Sequence, residues 1–269
     1  MRVVRCGWGG PVGPGARAVP VPVRERNGFG VAAQEVLSLI TPATRLVILN
    51  SPANPTAGVS SKTEVNRLVA GLLDHPGVAV VSDEIYDRMV YDGAEHVSLL
   101  SYPEIRNRLI LLNGWSKTYA MTGWRLGWSI WPTSLTERCR RFAVNAWSCV
   151  NAPAQYGGIA ALDGPQNCVE EMVAEFDKRR RLTVRLLASL PGVSCHNPQG
   201  AFYTFPNITG TGWESARLAN ALLEQAGVAL LSGSDFGPGG EGYLRISYAN
   251  SEDNIRKAVT RIGEFLSEH

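Results

Sequence analysis

Residues 45–58 read RLVILNSPANPTAG, a run of leucine and β-branched residues that stops at asparagine, serine and proline. An apolar run of this length bounded by turn residues is the pattern of a strand buried on both faces. The same rhythm returns at residues 77–83, GVAVVSD, and at residues 108–114, RLILLNG. Between the first two runs lies SSKTEVNRLVAGLLDH (residues 60–75), where Ser61 and Glu64 have the spacing of a capping box. Val65, Leu68, Val69, Leu72 and Leu73 mark one face of the helix that follows. Strands alternating with helices predict an α/β fold with a parallel-rich sheet, whose ligands sit just beyond the carboxyl ends of the strands.

That rule collects three polar residues at one edge. Asn54 lies past the first run, Asp83 ends the second, and Lys117 follows the third in NGWSKTYAMTGWRLGW (residues 113–128). Each has a plain structural reading: Asn54 as a turn residue, Asp83 as a cap, Lys117 as a solvated amine. Lys117 nevertheless differs from the chain's other lysines. Lys62, Lys178 and Lys257 all have the charged neighbours of solvated helix faces, whereas Lys117 stands among tryptophans, a glycine and hydroxyls. Arg125 in TGWRLGW and Arg245 in YLRISY sit among apolar, strand-like neighbours, where an unpaired guanidinium is costly, so each is expected to meet an anion.

Outward from this centre, residues 7–28 are rich in glycine and proline, with a Pro-Val alternation that suits an edge strand at best. Beyond Pro153 the pattern turns helical. An amphipathic stretch over Val169–Leu190 is followed by a strand-like GAFYTFP (200–206), a helix near Glu214–Gln225, a strand YLRISY (243–248) and a last helix from Ser251. Residues 1–165 are therefore expected to form a large domain and residues 166–269 a smaller α+β domain on a long connecting helix.

The formal charge of +2 is spread along the chain, and its one basic cluster, Lys178–Arg181, falls in a helical pattern. Neither nucleic acid nor an anionic membrane is an expected partner. Five cysteines with no CxxC pair fit a reducing, cytoplasmic setting, and the four scattered histidines have no ligand spacing for a metal. The N-terminus lacks the apolar core of a signal peptide, and no apolar run reaches membrane-spanning length.

A lysine amine for an imine, a carboxylate for a ring nitrogen, an amide and a phenol for a ring oxygen, and arginines for a phosphate and a carboxylate are what pyridoxal 5′-phosphate chemistry requires. NSPANPTAG, SDEIYDRMVY, NGWSKTYAMTGWRLGW, PQGAFYTFP and EGYLRISYANS together resemble the class I/II, fold-type I aminotransferases of the aspartate and aromatic type. The resemblance implies that Lys117 holds the cofactor and shuttles the substrate proton. Asp83 then keeps the pyridine nitrogen protonated, and Asn54 and Tyr86 bond the ring oxygen. Arg125 binds the phosphate and Arg245 clamps the substrate α-carboxylate. It also implies an amino acid and a 2-oxo acid as substrates and a homodimer as the assembly.

Three departures stand out. Ala57 replaces a glycine usual after the NPT turn, which strains the turn if φ is positive there. Gly114 stands where many relatives carry a phosphate-binding serine, so Ser116 or a backbone amide has to substitute. The family's N-terminal segment, with its phosphate-cupping helix start and stacking aromatic, has no equivalent, which predicts a truncated large domain and weakened cofactor binding. Competing readings are a same-fold lyase or cyclopropane-forming synthase, an impaired aminotransferase-like fragment, and a nicotinamide-binding dehydrogenase opening on RVVR and GWGGPVG, whose spacing and prolines do not suit a pyrophosphate loop. The amino donor is not specified. No arginine lies between Phe142 and Lys178 to take a second carboxylate, so aspartate preference has no support.

Overall fold

The computed structural model describes residues 2–6 and 15–269. The GWGGPVG stretch lies outside the described residues. The first sheet has six strands: β1 (Arg2–Cys6), β2 (Arg17–Val21), β3 (Thr44–Asn50), β4 (Ala79–Asp83), β5 (Leu109–Gly114) and β6 (Gly127–Ile130). Their order is β2-β1-β3-β4-β5-β6, with every pair parallel except β5–β6. The three apolar runs are thus adjacent central strands. Pro20 falls on the edge strand β2, where a missing N–H costs no ladder bond on the open side.

Helices α1 (Ala33–Ser38) and α2 (Lys62–Leu73) cover one face of this sheet. Val65, Leu68, Val69 and Leu72 of α2 are buried with Val4, Val47, Val80 and Leu109 of the strands, as the helical spacing predicts, while Leu73 is exposed. Only half of the capping box forms. Ser61 Oγ accepts from Glu64 N at 3.3 Å, but the Glu64 carboxylate accepts from Ala33 N at 2.7 Å and pairs with Arg67, so it ties α1 to α2 instead of closing on Ser61.

After β5 come the four-residue helix α3 (Trp115–Thr118), strand β6, and helices α4 (Thr133–Trp147) and α5 (Ala152–Asp163). Helix α6 (Asn167–Leu187) leads into a three-stranded antiparallel sheet of β7 (Tyr203–Thr204), β9 (Leu244–Ser247) and β8 (Leu231–Ser232), flanked by α7 (Ser215–Ala226) and α8 (Glu252–Glu268). The strand expected over residues 200–206 is reduced to two residues because Ala201 has φ 55°, which ends the extended run and turns it toward Met89, whose carbonyl accepts from Ala201 N. A separate core of Leu218, Leu222, Leu244, Ile262 and Phe265 fills this C-terminal part. It is fastened to the first part by buried Arg180, whose guanidinium reaches Asp92, Asp177, Asn197 Oδ1 and the Pro198 carbonyl. No helix of the described residues is long and apolar enough to cross a membrane.

Candidate active site

The turn after β3 is built to hold Asn54. Asn50, opposite Asp83 in the ladder, accepts from Asn54 N through Oδ1 at 2.8 Å and donates through Nδ2 to the Asp83 carbonyl at 3.2 Å. Ala57 N closes on the Ala53 carbonyl at 2.9 Å with Ala57 at φ 58°, so the positive φ expected to strain this alanine is present. The turn's payoff is the outward Ala57 carbonyl, which accepts from both Gln199 N and Gly200 N and docks the C-terminal part on the turn. Asn54 Oδ1 then accepts from Arg245 Nη1 at 3.1 Å, joining two of the expected site residues across 191 positions of chain.

Arg245 lies in β9 with its guanidinium carbon 4.7 Å from the Tyr203 ring centroid and 5.0 Å from that of Phe236. Its Nε is buried and has no hydrogen-bond partner among the described residues. A buried guanidinium N–H without a partner is expensive unless an anion arrives to accept it. The reading of Arg245 as an anion site therefore agrees with its surroundings. The strand-like setting expected of Arg125 needs correction: the residue caps a short 3-10 turn at φ 53°, exposed, donating to the Thr122 carbonyl at 3.0 Å. Its charge still bears on the site through Lys117.

Lys117 Nζ lies 5.4 Å from the Phe202 ring centroid and 5.9 Å from that of Tyr86. Partial burial, with the positive charges of Arg125 and Arg245 added, pulls its ammonium below the ordinary lysine range. Helix α3 is fixed by Asp87, which accepts from Asn113 at 2.9 Å and from Thr118 at 3.4 Å on either side of Lys117. Ser116 is half-buried beside Lys117, and its hydroxyl has no protein partner among the described residues. Gly114 explains itself by packing: a Cβ there meets Gly127 Cα at 2.9 Å and the Leu126 carbonyl at 3.0 Å. A serine there requires the β5 and β6 backbones to move apart.

Asp83 Oδ1 accepts from Ile85 N at 3.2 Å. Burial raises its pKa, the Ile85 bond opposes that, and the neighbouring Glu84 adds to it. Tyr86 is buried, with its hydroxyl 3.0 Å from that of Tyr203, and burial followed by the Tyr203 neighbour drives its phenol far above the ordinary value. Phe202 and Tyr203 are site residues that the sequence reading did not single out. A cavity of about 680 Å³ adjoins this centre, lined in part by Phe29, Asn50, Pro55, Phe205, Phe236 and Tyr243. The structure thus gathers Asn54, Asp83, Tyr86 and Lys117 along one edge of the six-stranded sheet and brings Arg245 to them from β9 of the second sheet, with Ser116 and Arg125 at the margin.

The chain is similar to known proteins in sequence and fold. The family described as aminotransferase class I and II matches residues 13–262, a span that holds every residue of the centre. An aspartate aminotransferase of Pyrococcus horikoshii is 38% identical over 254 residues, covering 93% of this chain and 64% of its own length. An aromatic-amino-acid aminotransferase 2 of Thermococcus litoralis is 37% identical, covering 94% of this chain and 65% of its own. The chain therefore spans just under two thirds of the length of these relatives. The crystal structure of an aromatic aminotransferase from Pyrococcus horikoshii superposes with a TM-score of 0.92 at 36% identity, over 99% of this chain and 73% of that one.

Proposed function

The chain belongs to the aminotransferase class I and II family, and from that membership we propose that it transfers an amino group from an amino acid to a 2-oxo acid in two half-reactions, with pyridoxal 5′-phosphate as cofactor. One observation carries the reading: Lys117, an amine with a lowered pKa, and half-buried Asp83 stand at strand ends of the six-stranded sheet, and β9 of the second sheet brings Arg245, with its orphaned, buried Nε, against them. These donors fit the group, a cation-seeking carboxylate for its ring nitrogen, a nucleophilic amine for its carbonyl and guanidinium charge for its anions. When bound, the cofactor supplies an electron sink for the pair left on the substrate α-carbon.

The protein's own residues do the rest. Lys117 holds the cofactor, because a desolvated amine beside two guanidinium groups loses its proton at lower pH than a free lysine and so is nucleophilic nearer neutrality. Once displaced by the substrate amine, the same Nζ moves the proton at the substrate Cα. Arg245 grips the α-carboxylate with its planar fork, held by Asn54 on one side and by two aromatic rings. Asp83 would pair with the ring nitrogen of the bound cofactor and hold its proton. The burial that raises its pKa in the protein alone also makes a pyridinium N–H a strongly favoured partner. Tyr86 and Asn54 serve the ring oxygen, and Ser116 and Arg125 serve the phosphate.

In this reading residues 1–165 form the cofactor-binding part and residues 166–269 the substrate-clamping part, supported by their separate cores. A homodimer fits the apolar surface of β6, α4 and α5, and a cytoplasmic setting fits five free thiols. The test is a scan of amino donors against 2-oxoglutarate with cofactor added. Formation of glutamate from at least one donor supports the proposal. Release of ammonia from the donor without glutamate moves the chain to a lyase of the same fold.

A further inference from the structure

We propose that Tyr203 is a positioning residue that couples the ring-oxygen side of the site to the carboxylate clamp. The proposal rests on the aminotransferase reading above and deepens it. Tyr86 and Tyr203 are both buried, come from segments 117 residues apart, and bring their hydroxyls to 3.0 Å with the rings at 80°. Each hydroxyl has one proton to give. When the Tyr86 proton is given to a cofactor oxygen, the Tyr86 oxygen can only accept in this bond, so Tyr203 must donate, and that polarises Tyr86 into a stronger donor.

The ring of the same Tyr203 carries the Arg245 guanidinium at 4.7 Å. The Arg245 guanidinium has only one hydrogen-bond partner among the described residues, Asn54, so the aromatic face helps to aim its fork. One side chain thus acts in two separable ways: its hydroxyl orients Tyr86, and its ring orients Arg245. Tyr203 touches neither reacting atom in this account.

Two substitutions separate the roles. Tyr203→Phe removes only the hydroxyl. A weaker Tyr86 donor stabilises the anionic ring oxygen less, so the pH midpoint of the bound cofactor's absorbance change is expected to rise by roughly half a unit, the scale of part of one hydrogen bond. Pyruvate affinity of the cofactor-free protein, measured by calorimetry, is expected to stay within about twofold, because the ring remains. Tyr203→Leu removes the ring as well and is expected to weaken pyruvate binding roughly fivefold or more. An unmoved midpoint in the Phe variant, unaltered pyruvate affinity in the Leu variant, or equal losses in both variants overturns the coupling. Failure of the unaltered protein to bind pyruvate also overturns it. Failure of the unaltered protein to take up pyridoxal phosphate refutes the aminotransferase reading instead, and the coupling is then decided on the pyruvate arm, which needs no cofactor.

Discussion

Asp83 and Lys117 carry burial penalties of opposite sign, and the penalties can be read out without any turnover. A carboxyl whose folded pKa is raised contributes stability below its unfolded value near 3.8 and loses it as the pH rises through the folded value. At pH 7 the ionised Asp83 is therefore a cost to the cofactor-free fold. Asp83→Asn keeps an oxygen for the Ile85 N–H, so its thermal midpoint at pH 7 is expected to be no lower than that of the unaltered protein, with any advantage shrinking as the pH falls toward 3.8. Retention of pyridoxal phosphate should fall by about tenfold or more, the scale of one charge-assisted hydrogen bond. A clear loss of thermal stability at pH 7 contradicts this account of Asp83. Arg245→Lys replaces a bidentate fork by a point charge and is expected to weaken pyruvate binding about tenfold while leaving cofactor absorbance in place; loss of the absorbance with intact pyruvate binding assigns the residue to the phosphate instead. Asn54, Asp83, Lys117 and Arg245 were legible in the sequence because strand ends and misplaced charges announce themselves. Tyr203 was not, since its meaning lies in a hydroxyl 117 residues away. Arg125 was misread because a tryptophan-rich context resembles a strand until the backbone turns to φ 53°.

At the level of elements, the β5–β6 pairing accounts for Gly114 at the position where the family resemblance led to the expectation of a serine. Restoring that serine forces its Cβ against Gly127 Cα at 2.9 Å, a backbone atom that moves only with the strand. Gly114→Ser is expected to destabilise the fold by about 1–3 kcal/mol, the usual cost of overpacking, and to loosen cofactor binding rather than improve it. Tighter cofactor binding in a chemical-denaturation and titration series shows the opposite. The central strands β3, β4 and β5 were readable because parallel strands buried on both faces are continuous apolar runs. Strand β6 and helix α4 were not read: both turn their side chains to solvent, and α4 buries none of its residues, whereas α5, beyond Pro153, buries Ala154 and Gly158. The 200–206 segment misled for a different reason, since GAFYTFP has strand composition but one residue in the left-handed region.

Across the whole molecule the exposed large apolar residues concentrate in the span from β6 through α5, with Trp128, Trp131, Phe142, Trp147, Tyr156, Ile159 and Leu162 all open to solvent. Apolar exposure of this kind seeks a partner surface. The purified chain is expected to associate as its concentration rises through the micromolar range, and the double substitution Phe142→Glu with Trp147→Glu to suppress that association while leaving the thermal midpoint within about 1–2 °C, since both side chains are exposed. Sedimentation velocity on both proteins decides it, and a monomer at every concentration contradicts the expectation. These residues begin at β6, the edge strand paired with β5, and Lys117 and Arg125 lie in the β5–β6 connection, so the site and the apolar surface are neighbours. The central claim is that one sheet edge turns Lys117 into the nucleophile of a cofactor site. Borohydride reduction of the protein mixed with pyridoxal phosphate, followed by proteolysis and mass mapping, tests that claim most directly: the account predicts a pyridoxyl group on Lys117 alone, and a label on Lys62, Lys178 or Lys257 with Lys117 unmodified contradicts it.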